Sequence, residues 1–387
     1  MIAYRCDMSE AALVMSIIAL AIAVIAMGFG IVARRQLATA LTNRPSAAPR
    51  HPVPLIEATG LPQERGPAAL VINPIKVSNP ERLEELARTL SRELDLPEPL
   101  IFRTSVEDPG SGQARSAIAA GASVVIAAGG DGTVRAVATA LAGTSTPMAL
   151  VPSGTGNLLA RNLDIPVDGL HAQVLTALSG RDMPIDLGWV TAFPRRRRPA
   201  RSNAGESPET PPEHVFLVMA GLGFDAAMVA GADDALKKRM GWVAYFFAGV
   251  RHLHSRKTLV AMQVGTGSWQ QLRVRTLLFA NCGRLPAGIV LLPDAEIDDG
   301  YLDIAAIDTR GGLIGWASLL WRVLLQGIGV QGNIGYQPSS IQFSRGRVIA
   351  VKLDEPENVQ VDGDLIGEAE EIHVRVQADG LRVRVRR

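Results

Sequence analysis

Three loops in the first half of the chain carry residues suited to holding a phosphorylated ligand. They are Asn73-Pro74, the run Gly129-Gly130-Asp131-Gly132-Thr133, and Pro152-Ser153-Gly154-Thr155-Gly156-Asn157. Glycines at such places allow positive φ and close approach of backbone to a ligand. Val134, Val137, Ala138 and Leu141 follow the second loop at helical spacing. The free N–H groups and dipole at that helix start make an anion site. Asp131 decides what kind of anion. A carboxylate there repels a bare phosphate, and makes sense when Mg2+ or a ribose hydroxyl accompanies it. The loop reads as built for a metal-nucleotide. The P-loop mode is excluded, because no GxxxxGKS or GxxxxGKT run occurs. No kinase-type HRD or DFG set is present either.

Two acidic turns lie in the second half. Pro293-Asp294-Ala295-Glu296-Ile297-Asp298-Asp299-Gly300-Tyr301 can offer hard oxygen ligands, and Val361-Asp362-Gly363-Asp364 ends a late strand. Acidic residues beside glycine are also ordinary hairpin chemistry. The two cysteines, Cys6 and Cys282, build no disulfide framework or metal cluster, which suits a reducing compartment. The six histidines are scattered, with no paired-His metal motif. A net charge of +1 over 387 residues gives no argument for nucleic-acid binding.

The elements that position these loops alternate. Strands at 68–72, 100–104, 123–128 and 149–151 are separated by helices at 81–94, 112–121 and from 133, with another helix starting at 158. Asn79 caps the first helix, with Pro80 at its first position. This order means an α/β domain with a parallel sheet and ligands at the carboxyl ends of its strands. From Thr258 the pattern is mostly strands, so the second half is an antiparallel β-sandwich domain. Expected boundaries are 66–187 for the nucleotide-binding domain and 188–387 for the β domain. A charged, proline-rich insert at 194–213 reads as a disordered loop. Helices are expected at 235–253 and 313–325.

Residues 11–33 open the chain with an uncharged apolar run of about 22 residues, enough to cross a bilayer core of about 30 Å. Asp7 and Glu10 precede it and Arg34 and Arg35 follow. The positive-inside rule then implies a single-pass cell-membrane protein with its catalytic part in the cytoplasm. Residues 34–65 read as a flexible linker.

Five motifs occur in one order: GGDGT at 129–133, PSGTGN at 152–157, GLGFDA at 221–226, LPDAEIDDGYLD at 292–303 and VDGD at 361–364. Together they resemble the lipid kinase family that unites bacterial diacylglycerol kinases with sphingosine and ceramide kinases. GGDGT alone is shared with NAD kinases and phosphofructokinases; the later motifs separate the lipid kinases. The resemblance implies an NAD-kinase-like α/β ATP domain, a β-sandwich domain, and a cleft where lipid and nucleotide meet. Asn73, Thr104, Gly129, Gly130, Asp131, Gly132, Thr133, Val134, Arg135, Thr155 and Asn157 would hold ATP. Asp186 and Asp131 would stand near the metal-nucleotide. A structural Mg2+ would take Asp299 with carbonyl oxygens of Glu296 and Tyr301. Asp364 would be the general base, in a place where the family usually has Glu. Leu158 stands where many members carry Asp.

The reaction so implied is phosphorylation of a lipid hydroxyl by ATP with Mg2+. Diacylglycerol is the first acceptor to consider, and sphingoid bases, a polyprenol or a glycolipid are the alternatives. Relatives of this kind often dimerise, so a second copy of the chain joins the lipid and ATP as an expected partner. A soluble-substrate kinase of the NAD kinase type is one rival reading, and a weakly active nucleotide-binding scaffold is another.

Overall fold

The computed structural model describes residues 66–195, 210–223, 257–284, 292, 294–309 and 339–387, all within one unit, Pro62–Arg387. The expected helices at 235–253 and 313–325, the linker, the apolar run at 11–33 and most of the 194–213 insert lie outside the described residues.

The first half alternates as its periodicity predicts. β1 (Ala68–Ile72), α1 (Pro80–Glu93), β2 (Leu100–Arg103), α2 (Ser111–Ala119), β3 (Val124–Gly129), α3 (Asp131–Leu141), β4 (Met148–Pro152), α4 (Leu158–Asn162) and α5 (Leu170–Ser179) follow in order. Asn79 caps α1 by accepting from the Arg82 N–H at 2.9 Å, with Pro80 in the first turn. The four strands are parallel in the order β2-β1-β3-β4. Chain direction across the sheet reverses between β1 and β3, the place where open α/β sheets bind ligands.

Alternate residues of β1 serve opposite layers. Leu70 and Ile72 pack with Leu83, Leu90 and Val174 from α1 and α5. Ala69 and Val71 pack with Ala117, Val134 and Val137 from α2 and α3. Both faces of the sheet are therefore covered, and its strands read as unbroken apolar runs.

The second half is β-rich. Its strands are β5 (Arg181–Phe193), β6 (Glu213–Phe216), β7 (Met219–Leu222), β8 (Thr258–Val264), β9 (Gln270–Val274), β10 (Thr276–Ala280), β11 (Leu302–Thr309), β12 (Ser339–Gly346), β13 (Val348–Val361) and β14 (Asp364–Val385). They pair antiparallel in the path β12-β11-β10-β7-β13-β14, with β8 on β13 and β5 on β14. Phe216, Leu222, Leu277, Phe279, Ile349 and Ile372 form their core.

Two long strands join the halves. β5 runs through the expected boundary at 187/188 without a break, and β14 pairs with it from Glu371 to Val385. The end of β14 then lies parallel to β4, at Val383 and Met148. Leu381, Val383 and Val385 are buried with Met148 and Ile185 in the core of the first half. Which sheet a strand joins depends on partners distant in sequence, so local pattern could not place these residues.

The expected single-pass membrane location requires correction. Among the described residues no helix is long and apolar enough to cross a membrane. Among those residues the longest helix, α1, has 14 residues, which spans about 21 Å at 1.5 Å per residue. A bilayer core needs about 30 Å.

Candidate active site

The loops that follow β1, β2, β3 and β4 are stitched together by backbone. The Asn73 N–H donates to the Ala128 carbonyl at 2.8 Å, Thr104 to Ile72 at 2.9 Å, and Ser153 to Gly129 at 2.9 Å. Asn73 then reaches sideways, its Nδ2 donating to Thr133 Oγ1 at 3.0 Å. Its Oδ1 accepts from the N–H groups of Ile75 and Lys76 at 3.1 and 3.3 Å. Thr104 and Thr133 are buried. A Cβ at Gly129 would meet the Thr133 side chain at 2.8 Å, which is why glycine stands there.

Asp131 opens α3, and its carboxylate faces the neighbouring loop. One oxygen accepts from the Asn157 N–H at 3.0 Å and the other from Leu158 at 2.8 Å. Two glycine loops are thus locked to each other through one carboxylate. Asn157, in the left-handed region at φ 47°, braces its own loop. It accepts from the Gly154 N–H and donates to the Gly154 carbonyl, both at 2.9 Å. Thr155 stands exposed at the tip of that loop. The N–H groups of Asp131, Gly132 and Thr133 lie in the first turn of α3, where a helix supplies no partner of its own. Val134 differs from the expectation that it holds nucleotide. Its side chain is buried in the core, and its N–H is already bonded to the Gly130 carbonyl at 3.0 Å.

The far end of the chain comes back to these loops. Val361 and Asp364 pair across a two-residue turn, with Asp362 at φ 46° and Gly363 at φ 90°. Positive φ at both central residues makes the tight hairpin that Asp-Gly favours. The turn is fixed from below by Asp362. Its carboxylate accepts from the N–H groups of Leu217, Val218 and Met219 at 2.9, 2.9 and 3.1 Å. Burial pushes the Asp362 carboxyl up; the three N–H groups and the Arg135 charge hold it down. Arg135, on α3, donates to the Val361 carbonyl at 2.7 Å and forms an ion pair with Asp364. A Cβ placed on Gly132 would stand 3.9 Å from Asp364 Oδ2. Asp364 therefore hangs over the start of α3, more than half exposed.

Asp186 is placed elsewhere. Its buried carboxylate accepts from the Gly300 N–H at 2.6 Å and the Asp379 N–H at 2.9 Å. Its own N–H donates to the Ile297 carbonyl at 2.8 Å. Among the described residues no hydrogen bond joins it to Asp131 or Asp364. It is a brace between β5, the 294–301 turn and β14, because a carboxylate this buried must be satisfied by N–H groups. Desolvation raises its pKa, and those two N–H groups oppose the rise. Asn281, fully buried, adds to the joint by donating to the carbonyls of Asp186 and Leu217 at 2.8 and 3.1 Å.

The expected structural Mg2+ does not fit the turn as it stands. Asp299, which was to supply the ligating carboxylate, accepts from the Tyr301 N–H at 2.9 Å and is ion-paired with Arg345. Arg345, Asp362 and Asn281 were not anticipated as parts of these joints. Only the Asp362-Gly363 pair carried a local signal, that of a hairpin.

Two family models cover this architecture. Residues 67–190 match the diacylglycerol kinase catalytic domain, and residues 218–385 match the YegS C-terminal NAD kinase beta sandwich-like domain. A protein of Pseudomonas putida named "Probable lipid kinase YegS-like" is 31% identical over 252 residues, covering 64% of this chain and 72% of that protein. The chain belongs to the YegS-like lipid kinase family. It is a kinase. A YegS-like relative from Pseudomonas aeruginosa PAO1, also named a probable lipid kinase, is 29% identical over 308 residues, 78% of this chain and 89% of its own. The crystal structure of a diacylglycerol kinase from Bacillus anthracis has the same fold, with a TM-score of 0.57 at 16% identity. That match covers 84% of this chain and 98% of the other.

Proposed function

We propose that this kinase transfers the γ-phosphoryl group of ATP to the hydroxyl of a lipid, with diacylglycerol as the leading acceptor and phosphatidic acid as the product. The observation that carries the reading is the placement of Asp364 over the first turn of α3, 3.9 Å from where a Gly132 Cβ would be.

Phosphoryl transfer asks the protein for positioning and charge more than for covalent chemistry. The N–H groups of Asp131, Gly132 and Thr133 hold phosphate oxygens, and exposed Thr155 closes over them from the facing loop. Asn73 and Thr104 set the height of the neighbouring loops. Asp364 accepts the proton of the acceptor hydroxyl as its oxygen attacks the γ-phosphorus; ADP leaves in line. The carboxylate and the reacting hydroxyl need to come within hydrogen-bond reach in the loaded complex. A Mg2+ ion bound with the nucleotide would supply positive charge against the phosphate oxygens. Asp131 suits that role, since each of its oxygens accepts one N–H and keeps a second lone pair.

The test is transfer of radiolabelled phosphate from ATP to a panel of diacylglycerol, a sphingoid base, a polyprenol and NAD, with D364N alongside. Label in diacylglycerol that D364N abolishes supports the reading in full. Label only in the sphingoid base or the polyprenol keeps the lipid kinase and changes the acceptor. Label only in NAD replaces it with a soluble-substrate kinase. ATP binding without transfer to any acceptor replaces it with a nucleotide-binding scaffold.

A further inference from the structure

β12 brings Arg345 directly opposite Asp303 in the antiparallel ladder with β11. From that position its guanidinium spans the acidic turn. Nε lies 3.4 Å from Asp303 Oδ1, and Nη2 donates to the Asp294 carbonyl at 3.2 Å. The same group is ion-paired with Asp299. Both carboxylates are largely shielded, Asp299 to 17% and Asp303 to 13% of their side-chain surface. The face of Tyr301 is covered by Arg345 at 5.6 Å and by Arg347 at 4.6 Å. Two shielded carboxylates beside a carbonyl would ordinarily call for a hard cation. Here a planar fork of donors already meets all three, with the geometry that suits bidentate contact to carboxylates.

We infer that Arg345 is a built-in replacement for a divalent cation at the 294–303 turn, so the fold of this turn is independent of metal. The consequence reaches the joint between the halves. Gly300 N–H and the Ile297 carbonyl of the same turn are the partners of Asp186 on β5. Holding the turn with an arginine keeps that joint closed whatever the metal supply. The inference concerns folding and stands apart from the choice of acceptor.

Thermal melting without nucleotide tests it, on the full chain, in EDTA and in excess MgCl2. The wild type is expected to melt at the same temperature in both. R345M is expected to melt lower in EDTA, by on the order of 4 °C, and to recover with Mg2+ as the vacated carboxylates take the ion. A wild type that loses stability on chelation, with the loss removed by D299N, overturns the inference. So does an R345M variant that melts like wild type in EDTA. Should R345M fail to fold, Tb3+ titration of the wild type decides the matter. Absence of Tyr-sensitised emission upholds it, and emission that Y301F and D299N each remove overturns it.

Discussion

Arg135 and Asp364 form an ion pair although 229 positions separate them in the chain. One belongs to the helix that follows the glycine turn, the other to the first residue of the last strand. The pair fixes the C-terminal hairpin over the first turn of α3. Its guanidinium holds the Val361 carbonyl as well, so the hairpin is gripped at both sides of its turn.

Removing the carboxylate's charge while keeping its shape should stop the reaction and spare binding. D364N is expected to lower turnover by roughly 10²–10⁴-fold, the range for loss of a positioned general base. Nucleotide affinity, measured by fluorescence titration, should stay as in wild type. Full activity in D364N would mean that another group takes the proton.

Arg135 acts on Asp364 through orientation, and its two contacts need the guanidinium fork. R135K keeps the charge and loses one contact; R135M loses both. Turnover should fall in the order wild type, R135K, R135M, with about tenfold or more lost in R135M. The KM for the lipid should change little. A KM-dominated effect would place Arg135 on the acceptor instead.

The glycines of the facing loops differ in what they tolerate. A Cβ at Gly154 would stand 2.8 Å from the Gly130 Cα and 3.0 Å from Asn157 Oδ1, against groups that are themselves tied down. At Gly130 the nearest atom would be 3.5 Å away, ordinary contact, and φ is −90°. G154A is therefore expected to cost about 1–3 kcal/mol in denaturant unfolding, and G130A to unfold near wild type. Equal losses would contradict this packing.

Asp131 satisfies two backbone N–H groups with two oxygens. Asn has one oxygen and would aim its NH2 at the second N–H. D131N should lose about 1–3 kcal/mol of stability, the cost of a stranded buried donor. The same variant should bind ATP more weakly, because the two glycine loops lose their tie. Unchanged melting would refute the bracing role.

Asp186 gives a pH signature. Burial raises its pKa above the usual carboxylate range. The native state then keeps a proton that the unfolded chain releases, so its contribution to stability falls as pH rises from the usual range to the raised native value. D186N lacks this titration. Denaturant unfolding of both proteins across that window should show wild type losing stability relative to D186N as pH increases. A difference that does not vary with pH would show that Asp186 has an ordinary pKa.

Much of this protein was legible in order along the chain. Apolar runs followed by glycine turns and helical spacing specify βα units through contacts between near neighbours, and they specified α1 with its Asn79 cap. The Asp362-Gly363 hairpin is equally local, since two positive-φ residues suffice to make it. Chemistry at Asp131 and Asp364 could be suspected from residue type and setting. What each carboxylate faces could not. Asp131 and Asp186 were both expected near the metal-nucleotide, yet one ties two glycine loops and the other braces β5 against the 294–301 turn and β14. Arg345 lies in an unremarkable strand until the ladder with β11 sets it opposite Asp303. Only tertiary structure decided these roles, because burial and the supply of N–H partners come from loops and strands 26 to 193 residues away, and they settle whether a charged group is free to react or is spent on holding the fold.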